Sequence, residues 1–183
     1  MDSLKGLIFL HIIEFMEKSY TALSANNNEK IIPEEKHLLK EPWVVSNDYS
    51  IDYFYKLISL VRKLTKNEAV FIENAAEYTG AHLTDQYFYI LKNKDAAILM
   101  EQTKLLFTKL IGSFSFNYEI SGKEGTSFIS CEINSHSNLD SSLIHFLQFL
   151  FKTLISNSSF SSVRITGTKN EEQIYRFDYE CKR

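Results

Sequence analysis

The stretch Phe114-Ser115-Phe116-Asn117-Tyr118-Glu119-Ile120-Ser121-Gly122-Lys123-Glu124-Gly125 decides how this chain is read. Phe114, Phe116, Tyr118 and Ile120 alternate with smaller or polar residues, the period of two that puts every second side chain on one face of a strand. Gly122 to Gly125 is a turn, and Phe128 to Ile133 is the returning strand of a hairpin. Downstream, Ser137 or Asn138 opens a helix with a broad apolar face through Leu139, Leu143, Ile144, Phe146, Leu147, Leu150, Phe151 and Leu154. Two more strands follow, one around Val163 to Thr166 and one alternating through Tyr175, Phe177, Tyr179 and Cys181.

Upstream of Phe114 the period changes to that of helices. Leu4, Leu7, Ile8, Ile12, Phe15 and Met16 form one helical face, with Asp2 or Ser3 as the expected cap. Residues 26–48 hold both prolines and read as a connection, with a short helix allowed from Glu34 to Leu39. Asp48 or Ser50 is the expected cap of a helix carrying Tyr53, Phe54, Leu57, Ile58, Val61 and Leu64. Asn67 caps the next, which buries Val70, Phe71, Ala75 and Tyr78 and is expected to stop at Gly80. A shorter segment, Thr84 to Leu91, precedes a helix from Asp95 to Leu110 carrying Ile98, Leu99, Leu105, Leu106 and Leu110, ended by Gly112. Helices followed by β-β-α-β-β predict an α+β fold with an antiparallel sheet. We expect one domain over 1–183, helical to about residue 112 and sheet-forming from 113 onward.

Composition narrows the function classes. Fourteen Phe and ten Tyr supply core-filling rings, and only six Gly and two Pro argue against a disordered chain. A net charge of −3 gives no electrostatic reason to expect nucleic acid. Cys131 and Cys181 form no CxxC pair and no disulfide framework, which fits a reducing cytoplasm. The apolar run Leu7 to Ile13 is interrupted by His11 and closed by Glu14, too short for a membrane span and flanked wrongly for a signal peptide.

No phosphate loop, HExxH, GxSxG or dinucleotide fingerprint is present, so no enzyme is expected. His11, His37, His82, His136 and His145 are scattered. His11 and His145 lie in apolar helical runs, where an imidazole satisfied by one hydrogen bond is the plain reading and a haem or metal ligand the sharper one. Glu34-Glu35 and Glu171-Glu172 read as solvated carboxylates. Glu132, Asn134 and His136 fall at every second position, so an extended strand would turn all three to one face, as a polar site or as a strand end entering solvent. Trp43 reads as a plug over the helices, Arg164 and Arg176 as cross-strand or surface charges, and Ser156 to Ser162 as a turn.

The order of elements and several local strings resemble the haem–nitric oxide/oxygen-binding (H-NOX) domain. Lys5-Gly6-Leu7-Ile8-Phe9 leads into the first helix as that family's Gly-containing opening does. Trp43 to Tyr49 is similar to its aromatic/aspartate segment, Glu77-Tyr78 to the end of its third helix, and Ser137-Asn138-Leu139 to its Ser-Gly-Leu string. The resemblance implies a haem held by a proximal histidine on the helix before the first strand, and a Tyr-x-Ser-x-Arg motif gripping the propionates. Here that helix has no histidine: the register puts Phe107, or its neighbour Leu106, at the ligand position. The motif reads Glu132-Ile133-Asn134-Ser135-His136, where a glutamate repels propionates and a histidine lacks the forked guanidinium.

With both hallmarks missing, no cofactor is expected, and haem held by His82 or His145 is the alternative. The expectation is then a stand-alone sensor or adaptor in signalling, filled by its own side chains or by a small apolar ligand, and acting through a partner protein. It is expected to be cytoplasmic.

Overall fold

Residues 2–26, 33–87, 91, 95–112, 114–123, 125–156 and 160–183 are described by the structure, a computed structural model. The chain opens with a short strand rather than a capped helix. Strand β1 (Ser3–Lys5) pairs antiparallel with β2 (Asp48–Ser50) and with β3 (Ile111–Gly112), forming a small sheet with β1 at its centre. Asp2 and Ser3 therefore do not cap the first helix. Helix α1 (Gly6–Asn26) starts where Gly6 N donates to the Asn47 carbonyl at 2.9 Å. A Cβ on Gly6 would lie 2.2 Å from the Val44 carbonyl oxygen, so the loop can close over the helix start only on a glycine. Trp43 plugs that place as expected: it is buried and stacks on Phe9 with ring centres 4.5 Å apart.

Helix α2 (Pro33–Lys40) confirms the short helix in the connection. Helix α3 (Asp52–Leu64) buries Phe54, Leu57, Ile58, Leu60 and Val61. Its N-cap is Ile51, without a side-chain cap, because Lys5 holds the Asp48 carboxylate at 2.7 Å and Ser50 bonds to Asp52 instead. Helix α4 (Glu68–Gln86) is capped by Asn67, whose Oδ1 accepts from Val70 N at 3.3 Å. Two expectations fail on this helix. Val70 is exposed, and Gly80 does not end the helix but lies buried within it, against Thr153. The expected segment Thr84 to Leu91 begins as the last turn of α4, and residues 88–90 are outside the described residues.

Helix α5 (Ala96–Leu110) begins at Asp95, whose carboxylate accepts from Ala97 N and Ile98 N at 2.8 and 3.2 Å. Its inward stripe is Leu99, Met100, Thr103, Leu106, Phe107 and Leu110. Ile98 and Leu105 fall outside that stripe and are exposed, against expectation. Gly112 then belongs to β3, opposite Ser3.

The main sheet is antiparallel with order β4-β5-β7-β6, built from β4 (Ser115–Lys123), β5 (Thr126–Asn134), β6 (Ser162–Glu171) and β7 (Ile174–Lys182). Its inner face carries Phe116, Ile129, Cys131, Ile133, Tyr175, Phe177, Tyr179 and Cys181, all buried. On the outer face Arg164 crosses to Glu180 of the neighbouring strand at 2.7 Å, whereas Arg176 meets Asp178 two positions along its own strand at 3.2 Å and reaches Glu119 of β4 at 3.6 Å. Helix α6 (Ser141–Ser156) lies between this sheet and α4. Being covered on both sides explains why its apolar face is so broad. Asp140, not Ser137 or Asn138, caps it: Oδ1 accepts from Ser142 N at 2.8 Å and from the Ser142 hydroxyl. The Ser142 hydroxyl holds the Asp140 carboxyl below its ordinary range, partial burial opposing the shift.

The buried apolar side chains form one continuous cluster from α1 to β7. Both cysteines are buried within it as free thiols, and burial pushes the Cys181 thiol up to about 12. Among the described residues no helix is long and apolar enough to cross a membrane.

Candidate functional site

Phe107 sits on the inward stripe of α5, 3% exposed. Its ring centre is 5.0 Å from that of Phe116 on β4 and 4.9 Å from that of Phe151 on α6. Phe116 and Phe151 stack on each other at 5.0 Å, and Phe177 of β7 adjoins Phe151 at 6.2 Å. Four rings from a helix, two strands and a second helix thus close on one point. Leu106, the neighbouring candidate, is also buried. None of these side chains has a lone pair for iron, and the rings occupy the space into which the Phe107 position looks.

The segment after β5 separates the three alternating residues. Glu132 and Asn134 share the outer face of the sheet, Asn134 Nδ2 lying 3.4 Å from Glu132 Oε1. His136 is exposed in the bend beyond the strand end, so it does not continue the face that Glu132 and Asn134 share. The organised polar cluster lies on the residues between them. Ser135 is buried, and its hydroxyl is 3.0 Å from Asp2 Oδ2 and 2.6 Å from the Ser137 carbonyl oxygen. The Ser137 hydroxyl donates to the same Asp2 oxygen. Ser135 N donates to the Gln173 carbonyl at 3.0 Å, Leu139 N to the Tyr175 hydroxyl at 2.7 Å, and Asp140 N to the Tyr55 hydroxyl at 3.1 Å.

Asp2 is only 3% exposed, and its Oδ1 has no hydrogen-bond partner. A buried carboxylate therefore already takes the hydroxyls of this turn. A second carboxylate brought here would meet like charge at low dielectric. Sequence reasoning missed Asp2, Ser135 and Ser137 because the partners are more than 130 positions apart and Asp2 looked like an ordinary helix cap. Phe107 offers no ligating atom and this turn offers no guanidinium, the two groups that the resemblance implies for holding haem.

The two alternative ligands stand in different places. His145 on α6 faces Glu73 of α4, Nε2 to Oε1 at 3.0 Å, so it is the hydrogen-bonded boundary imidazole expected. It borders an open groove of about 430 Å³ between α4 and α6, lined also by Glu68, Ala69, Ile72, Ser141 and Ser142. His82, near the C-terminal end of α4, faces His11 of α1 with ring centres 5.2 Å apart. His11 is buried, but its Nδ1 and that of His82 lack hydrogen-bond partners, contrary to the expectation of a satisfied core histidine. Burial, and to a lesser degree His82, lower the His11 pKa, while Glu14 opposes them. Among the described residues no three His, Cys, Asp or Glu side chains are grouped to hold a metal ion. On the outer face of the sheet a hollow of about 270 Å³ is lined by Glu119, Phe128, Ser130, Arg176 and Asp178, among others.

No protein-family model matches this sequence, and no curated protein matches it significantly. The architecture, however, is similar to solved H-NOX domains. An H-NOX protein from S. oneidensis in the Fe(II)NO ligation state superposes with a TM-score of 0.68 at 12% identity, covering 98% of this chain and 100% of that one. An oxygen-binding H-NOX domain related to soluble guanylate cyclases superposes with a TM-score of 0.64 at 10% identity, covering 98% and 94%. A third H-NOX structure, from work on haem distortion, gives 0.68 at 13% identity over 98% and 94%. The chain has the H-NOX fold, at a sequence distance where fold alone is shared.

Proposed function

We propose that this chain is an H-NOX-fold sensor or adaptor domain in which side chains have taken over the space of the cofactor, and which acts through a protein partner. The observation that carries this reading is Phe107, at the position the resemblance assigns to the iron ligand, packed on Phe116 and Phe151, with Phe177 adjoining Phe151. The Asp2 carboxylate on Ser135 and Ser137 supports it from the other side of the expected site. A well-packed interior costs less than an empty cavity of haem size, so loss of the ligand and growth of the rings belong together. Any output leaves through the surface, and α1 and the outer face of the main sheet, with exposed Phe128, are the faces to examine. The role is binding rather than catalysis.

Absorption spectroscopy of the purified protein with stoichiometric haemin tests this reading. The expected result is no sharp Soret band and no spectral change on reduction or on adding nitric oxide. A sharp Soret band that disappears in His82→Ala or His145→Ala would overturn it and make the domain a haem-based gas sensor with a non-standard ligand. A small apolar ligand in place of haem would show as co-purifying material in mass spectra of the native protein.

A further inference from the structure

Helices α1 and α4 carry a feature that the proposed role does not use. His11 and His82 face each other across the helix interface, their rings inclined at 66°. His11 is 6% exposed, yet its Nδ1 is buried with no hydrogen-bond partner, and the same holds for Nδ1 of His82. The two nitrogens do not satisfy each other either. Two unmet imidazole nitrogens on neighbouring rings are expensive in an interface that is otherwise well packed, unless something outside the chain meets both.

We propose that His11 and His82 form a binding site for one zinc-like divalent transition ion that clamps α1 to α4. The ring separation suits this. With Zn–N bonds of about 2.0–2.1 Å and a tetrahedral angle, two imidazoles sharing one ion have their centres about 5 Å apart. The observed separation of 5.2 Å matches that spacing. Imidazole selects zinc, copper or nickel over magnesium and calcium, which demand oxygen.

The surroundings support the pair as ligands. Tyr78 stacks against His82 with ring centres 4.1 Å apart and fixes its orientation. The Tyr78 hydroxyl in turn donates to Glu14 Oε2 at 3.4 Å and accepts from Lys18. Glu14, one turn from His11 on α1, brings a negative charge to a site that would gain a positive one. No third protein ligand stands ready among the described residues, so water would fill the remaining positions. The site rests on the haem-free reading in one respect only: haem held by His82 would occupy this ring and exclude the ion, whereas haem held by His145 would not.

The test uses the full chain stripped with a chelator and titrated with Zn²⁺, then with Co²⁺ as a coloured probe. The expected result is saturable binding of one equivalent with a rise in thermal midpoint that grows with ion concentration. Histidine side-chain NMR should show the Nδ1 signals of two coupled rings shifting, and Co²⁺ should give the intense visible bands of a four-coordinate site. His82→Phe should abolish binding, while His145→Ala, at the separate Glu73 pair, should leave it unchanged. Absence of saturable binding would overturn the proposal and assign the space to a bridging water. Loss of binding only in His145→Ala would overturn it too, by moving the ion to the α4–α6 groove. The NMR readout on the unmodified chain decides the matter even if His82→Phe does not fold.

Discussion

A Cβ built on Gly80 would stand 2.8 Å from the Cβ of Thr153, closer than two such atoms approach. The contact joins α4 to α6, the most extensive helix–helix interface in the fold. In an exposed helix Gly→Ala is worth about 1 kcal/mol of stabilisation. Here overpacking costs about 1–3 kcal/mol and outweighs it, so Gly80→Ala should destabilise. In a Thr153→Gly background the same change should become neutral or stabilising. Urea unfolding of the four variants measures the reversal, and a Gly80→Ala protein more stable than the parent would show that the helices can separate freely.

Phe107→Ala should cost about 3–5 kcal/mol, the usual range for removing a ring from a packed core. Leu105→Ala, two positions away on the same helix, should stay within about 0.5 kcal/mol because Leu105 is 61% exposed. Chemical denaturation compares the two. Equal effects would mean that the inward face of α5 is not the one described.

The Asp2 carboxylate and the Ser135 hydroxyl should be energetically coupled. A double-mutant cycle with Asp2→Ala and Ser135→Ala should give about 1.5–3 kcal/mol, typical of a hydrogen bond to a charged group. Additivity of the two single changes would mean that Asp2 makes no difference to this turn.

Stability should fall as pH drops below neutrality. His11 has a folded pKa below its ordinary value of 6.5, so the unfolded chain takes up the proton first. The unfolded state therefore binds more protons, and stability present above about pH 6.5 is lost as pH falls from there toward the folded pKa. Urea midpoints at pH 7.5 and 5.5 should differ in the parent and differ less in His11→Phe. An equal drop in both would assign the effect to groups other than His11.

The turn between β6 and β7 places Glu172 at φ 40° and Gln173 at φ 71°. Both occupy the left-handed region, which a two-residue turn of this hand requires and which Asn-Gly adopts best. Glu172→Asn with Gln173→Gly should raise stability by about 0.5–1 kcal/mol. A loss in thermal midpoint would show that these side chains make contacts that compensate for the backbone cost.

Much of the architecture was legible from spacing. The alternation from Phe114 to Ile120, the glycines at 122 and 125 and the aromatic alternation from Tyr175 to Cys181 each report a local property, the period of two in a half-buried strand. Asn67 and Asp95 were readable as caps because a cap bonds within its own first turn. The failures share a different cause. Asp2 and Ser3 have the chemistry of caps, but strand pairing with residues 48–50 and 111–112 claimed that backbone first. Gly80 has the chemistry of a helix stop, but the approach of α6 gave it another use. The alternation Glu132, Asn134, His136 was real only as far as the strand extended.

By itself the sequence determined the α+β order, the hairpin turning at residues 122–125 and the absence of a ligating side chain at Phe107, because period and residue identity are local and need no partner. Only the tertiary structure decided that Phe107 packs on Phe116 and Phe151, that Asp2 reaches Ser135 and Ser137, and that His11 meets His82. Those pairings depend on how helices and sheet stack. Residues from distant parts of the chain become neighbours only once the buried faces have found each other, and no spacing rule carries that information.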